Sequence, residues 1–94
     1  VDPLLAALAL VGCRLVRSHE NLVRSAAELR IIHPSGRTCF CWDGIWFAGG
    51  DFYDLKHAGM QFSAECDWQE VPPLTTKARQ LLTDYLLNAA PHGA

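Results

Sequence analysis

Three observations predict an α+β domain: a leucine-rich N-terminal stretch with helical spacing, a β-branched and aromatic middle around Asp43-Gly44, and an apolar stripe at 3.6-residue spacing near the C-terminus. The expected order is an N-terminal helix or helical pair, a three-stranded antiparallel meander, a short helix, a further extended segment and a C-terminal amphipathic helix. With 94 residues the chain holds one such domain, because typical domains run to ~100–150 residues and two cores do not fit this length. Its apolar content, glycine counted, exceeds the usual ~45–50%. That excess excludes intrinsic disorder, which needs low hydrophobicity and high net charge. It also points to apolar surface covered by something besides this chain.

At the N-terminus Pro3 suits a first helical turn and Asp2 its cap. Leu8, Leu15, Leu22 and Leu29 then recur every seven residues, the period of one helical seam. The companion seam, Leu4, Val11, Ser18 and Ser25, loses its apolar character halfway. The stretch is thus one long helix or two helices broken near Ser18-His19-Glu20-Asn21, and Gly12 weighs slightly against the single helix. Glu20–Arg24, Arg24–Glu28 and Arg17–Glu20 stand at i, i+4 and i, i+3 spacing, which supplies a solvated face.

After Leu29 the pattern changes. Arg30 to His33 reads as extended, and Pro34-Ser35-Gly36-Arg37 as a turn. Thr38-Cys39-Phe40-Cys41-Trp42 and Ile45-Trp46-Phe47-Ala48 flank Asp43-Gly44, the strongest short hairpin signal, because a type I′ turn needs positive φ at both central residues. Asp51 caps a short helix through His57 or Ala58, closed by Gly59. Residues 60–71 form the further extended segment. Pro72-Pro73 breaks the chain, and Thr75 or Thr76 caps a last helix with Leu74, Ala78, Leu81, Leu82, Tyr85, Leu86 and Ala89 on one stripe.

The hairpin carries a further implication. A two-residue loop puts Trp42 opposite Ile45, Cys41 opposite Trp46, Phe40 opposite Phe47 and Cys39 opposite Ala48. One face is then Phe40, Trp42, Ile45 and Phe47, and the other Cys39, Cys41, Trp46 and Ala48. Neither is polar, whereas a hairpin wetted on one side alternates apolar and polar residues. Both faces therefore need cover, from helices of this chain or from another chain. Eight of the nine aromatic residues lie between Phe40 and Trp68, so this stretch is the densest source of contact area, whether spent in the core or at an interface.

The longest apolar run, Leu4 to Cys13, is too short for a bilayer span of about 20 residues. Leu10-Val11-Gly12-Cys13 resembles the cleavage box of bacterial lipoproteins, but Val1 and Asp2 before Pro3 do not provide the basic leader of a secretory signal. Cys39 and Cys41 alternate on one strand face nearly 7 Å apart, too far for a ready bridge. Four reduced thiols, at Cys13, Cys39, Cys41 and Cys66, and a cytoplasmic location are expected.

Catalytic signals are weak. A zinc site would draw on Cys39, Cys41 and Cys66 with His33 or His57, yet structural zinc sites present two close ligand pairs and only one Cys-x-Cys pair is present. Asp51, Asp54 and His57 stand at i, i+3 and i+6, and Asp54 beside His57 would orient an imidazole for general base work. The same placement is ordinary helix design, with the acid early and the bases late. No nucleophile motif and no glycine-rich phosphate loop occurs, and no cofactor is expected. The net charge of −2 argues against general nucleic-acid affinity. Arg14, Arg17, Arg24, Arg30 and Arg37 give the first third a mild basic bias, but Glu20 and Glu28 sit among them.

The function expected is that of a small, non-catalytic cytoplasmic regulator that binds another protein, as an inhibitor, antagonist or adaptor of a regulatory factor. The alternatives are a nucleic-acid-associated accessory protein and, further off, a small zinc-binding protein. A homodimer is expected as well, with Leu8, Leu15, Leu22, Trp46 and Leu87 as interface residues. Closed two-fold symmetry is the commonest way for identical patches to cover each other.

Overall fold

The computed structural model describes residues 2–21, 29–49 and 60–88. Helix α1 (Pro3–Leu10) opens on Asp2, whose Oδ1 accepts from the Leu4 amide at 2.9 Å, with Pro3 in the first turn. The helix stops at Gly12. The Cys13 amide donates to the Leu8 carbonyl and the Gly12 amide to the Ala9 carbonyl, both at 3.1 Å. This 6→1 and 5→2 pair closes the helix with Gly12 at φ 90°. Leu8 and Cys13, which the closure brings together, are both buried.

The expected N-terminal helix is present but ends at Leu10, and among the described residues of the N-terminal third no second helix follows it. Arg14–Asn21 is strand β1, and Leu29–Ile32 is strand β2. Leu8, Leu15 and Leu29 keep their seven-residue spacing but lie on a helix and two strands, so no helical seam joins them. Physically, the left-handed turn at Gly12 ends the helix, and the chain reverses into Arg14-Leu15-Val16-Arg17, where Leu15 and Val16 serve opposite faces of one strand. Leu22, with residues 22–28, lies outside the described residues, as does the short helix expected over 51–58.

Strands β3 (Thr38–Trp42) and β4 (Ile45–Ala48) follow as the expected hairpin. Asp43 at φ 59° and Gly44 at φ 81° give the turn its two positive angles, and the pairs Trp42–Ile45, Cys41–Trp46, Phe40–Phe47 and Cys39–Ala48 match the expected register. Strand β5 (Met60–Glu65) pairs antiparallel with β1 through a register that shifts between Arg17 and Ser18 and again between Ser18 and Asn21. Among the described residues the sheet has five strands in the order β4-β3-β2-β1-β5. The expected three-stranded meander is thus a four-stranded one, β1 to β4, with β5 added beyond β1. A 3₁₀ turn, Trp68–Glu70, leads to the Pro72-Pro73 break and to helix α2 (Thr76–Leu82). Thr75 caps α2, its Oγ1 accepting from the Ala78 amide at 3.1 Å. A π-helical turn, Thr83–Leu87, extends it, closed by the Asn88 amide on the Thr83 carbonyl at 2.7 Å.

Leu15, Leu29, Ile31, Cys39 and Cys41 line one sheet face, and Leu5 and Leu8 of α1 with Leu82 and Leu86 from the C-terminal helix pack on it as one core. Ala78, Leu82 and Leu86 recur every four residues and are buried, as the predicted stripe requires. Burying each of the two leucines contributes roughly 1.5–3 kcal/mol.

Candidate interaction surface

The opposite sheet face has a different character. Cross-strand pairing puts Val16, Arg30, Phe40 and Phe47 in one row, from β1 to β4. Val16 and Arg30 are buried, with Arg30 Nη2 donating to Thr38 Oγ1 at 3.1 Å. Phe40 is half-buried, and Phe47, stacked on it with ring centroids 5.1 Å apart, is 43% exposed. Ile45, two residues along β4 on the same face, is 59% exposed. Exposure thus rises toward the edge strand. Ile45 and Phe47 stand open at this end, so the cover expected on both hairpin faces is incomplete at these two residues.

β4 is also an edge in hydrogen bonding. In an antiparallel ladder, opposed residues alternate between pairs that exchange both backbone bonds and pairs that exchange none. The two-residue turn makes Trp42–Ile45 a bonded pair, and the Gly49 amide on the Thr38 carbonyl, 2.9 Å, continues the same phase. The amides and carbonyls of Trp46 and Ala48 therefore point away from β3. At the turn end of this edge lies a groove of about 490 Å³, walled by Gly44, Ile45 and Trp46 on one side and by Pro73, Thr75, Lys77, Ala78, Gln80 and Leu81 on the other.

Of the interface residues expected from sequence, Leu8 and Leu15 are core residues of this chain. The homodimer seam is therefore no surface of the folded chain at those two positions. Trp46 is half-buried, packed on the core and at the groove wall. Leu87, which is not on the expected stripe, is half-buried against the core. Among the described residues the large apolar side chains that stand outward are Leu10 at 86%, Val11 at 46%, Ile45 and Phe47. In sequence Ala78 and Leu81 read only as part of the α2 stripe, since their partnership with β4 arises only when α2 folds over the sheet.

The candidate chemistry is dispersed. Cys39 and Cys41 face the core, Cys66 follows β5, and all four cysteines are free thiols. Burial pushes the Cys13 thiol up to about 11 and the Cys39 thiol up to about 12, the nearby Cys13 adding to the latter and Arg30 opposing it. Burial also raises Cys66, with Arg17 opposing and Asp67 adding. His33 sits in the β2–β3 turn, its Nδ1 accepting from the Ser35 amide at 3.0 Å. Among the described residues no three His, Cys, Asp or Glu side chains converge on a metal-sized site. Asp51, Asp54 and His57 lie outside the described residues. Arg14 pairs with Glu65 at 3.4 Å, Arg17 with Glu70 and Arg79 with Asp2, while Arg37 lies over the Tyr85 ring, 5.7 Å from its centroid. Among the described residues no helix is long and apolar enough to cross a membrane.

No family model, no curated protein and no solved structure matches the chain.

Proposed function

We infer that this domain is a non-catalytic protein-binding module, a regulator or adaptor that engages another protein through the β4 end of its sheet. The observation that carries the inference is the exposure of Ile45 and Phe47 on an edge strand, beside the half-buried Phe40 and Trp42. Scattered exposed hydrophobics are ordinary, but adjoining ones on a sheet edge form a patch of the kind that marks interaction sites. Unbridged thiols, three of them buried, support a reducing, cytoplasmic setting.

Affinity capture from the native host with two baits tests the inference. One bait is the wild-type domain and the other carries Ile45→Asp and Phe47→Asp, with its fold checked by circular dichroism. A protein retained by the first and lost from the second identifies the partner. Equal retention of every captured protein by both baits overturns the assignment of this surface.

A further inference from the structure

We propose that the groove between β4 and α2 receives an extended, apolar segment of the partner protein, which adds to the sheet as a strand beside β4 and sets one acidic side chain against Lys77. The proposal rests on the protein-binding role inferred above and names the form and chemistry of what is bound. Three independent features converge on it. The first is the phase of the ladder, which aims the amides and carbonyls of Trp46 and Ala48 outward along the edge. An edge of this kind is a template for one more strand, and strand addition is a recurring way of binding peptides.

The second is the space. The groove opens at the turn end of that edge, beside Gly44, Ile45 and Trp46, and is about 490 Å³ in volume. A segment paired with β4 would point alternate side chains to the two sheet faces. Those on the core side meet Trp46, Pro73, Ala78 and Leu81. Those on the other side meet Ile45 and Phe47, which are on the same sheet face as Phe40. Ile45 and Trp46 on one wall and Pro73, Ala78 and Leu81 on the other make the groove mainly apolar, interrupted by Thr75, Lys77 and Gln80, so the segment is mainly apolar where it crosses the groove.

The third is charge. Lys77 is the one charged side chain in the groove wall. Among the described residues it has no carboxylate in salt-bridge range, whereas Arg14, Arg17 and Arg79 each have one. A lone cation on a mainly apolar wall favours a ligand that brings the opposite charge and disfavours one that brings the same. An acidic side chain near the Lys77 end of the segment supplies it.

Panning a display library of short random peptides against the 94-residue domain and its variants tests the proposal. Wild-type protein is expected to enrich peptides with a run of β-branched or aromatic residues and an acidic residue at one fixed position. Lys77→Glu is expected to turn that preference to Lys or Arg. Ala48→Pro removes one outward amide at an edge position where proline is tolerated, and is expected to weaken a selected peptide by about tenfold, one hydrogen bond's worth. Should Ala48→Pro fail to fold, amide hydrogen exchange of the wild type decides. Slower exchange at Trp46 and Ala48 in the presence of the selected peptide supports strand addition, and unchanged exchange overturns it. Failure to enrich any peptide, or an acid preference that survives Lys77→Glu, overturns the proposal, and so does light scattering that shows a dimer abolished by Ala48→Pro, since a second copy then occupies the edge. None of these outcomes touches the capture experiment, which reads Ile45 and Phe47 alone.

Discussion

Gly12 carries two constraints at once. Its φ of 90° is a backbone that L side chains rarely adopt, and an added Cβ would stand 3.2 Å from Cγ of Pro34. Gly12→Ala should therefore cost at least about 1–2 kcal/mol, measurable as a lower urea midpoint; an unchanged midpoint would show that the helix ends elsewhere. Gly44→Val faces open space but the same handedness, φ 81°, and should cost at least about 1 kcal/mol. The Asp43-Gly44 turn was legible in the sequence because its geometry is decided within four residues. Gly12 was less so: a glycine that ends a helix looks the same in sequence as one inside it, and its close approach to Pro34 exists only in the folded chain. Cys39 gives a pH prediction. Its thiol is held at about 12 in the fold against 9.0 without burial, so stability is full below pH 9. Above that the unfolded chain releases a proton that the folded chain keeps, and stability falls as pH rises toward 12, by up to about 1.4 kcal/mol per pH unit. Urea unfolding at pH 8 and pH 10 should show a smaller loss in Cys39→Ala than in the wild type; equal losses would remove Cys39 as the cause.

Among the elements, α2 was readable because capping residue and stripe coincide: Thr75 stands just before it, and Ala78, Leu82 and Leu86 follow at one spacing. Thr75→Ala should lower stability by about 1 kcal/mol, read from the urea midpoint. β1 was misread because seven-residue leucine spacing is satisfied equally by a helix and by two strands separated by intervening chain. The β3–β4 hairpin gives a contrast between its own face and the core. Ile45→Thr, on the open face, should change stability by no more than about 0.5 kcal/mol. Ile31→Ala, in the core, should cost about 2–5 kcal/mol. A comparable loss at both positions would mean that the Ile45 face is covered in the folded chain. The groove could not be read from sequence because Trp46 and Leu81 are far apart in the chain and each looks like an ordinary core residue in its own element.

At the scale of the molecule, the sheet order β4-β3-β2-β1-β5 separates near partners from distant ones. Each step of the β1–β4 meander joins strands close in sequence, whereas β1 meets β5 through Val16 and Glu65. Contacts of long sequence separation demand loop closure before they return any stability. Hairpin substitutions should accordingly slow refolding, and glycines at Ser63 and Ala64 in β5 should mainly speed unfolding. Chevron plots of Gly44→Val and of the β5 pair distinguish the two effects, and slowed refolding by the β5 pair would place β5 in the nucleus instead. The position of β1 has a consequence for biosynthesis. Although first of the strands to leave the ribosome, it is flanked on both sides in the finished sheet, and its second flank is made only when Met60–Glu65 emerges. At ~5–20 residues per second, the nascent chain holds a central strand with one bare edge for several seconds, and during that interval the strand can pair with any neighbouring chain that offers an edge of its own.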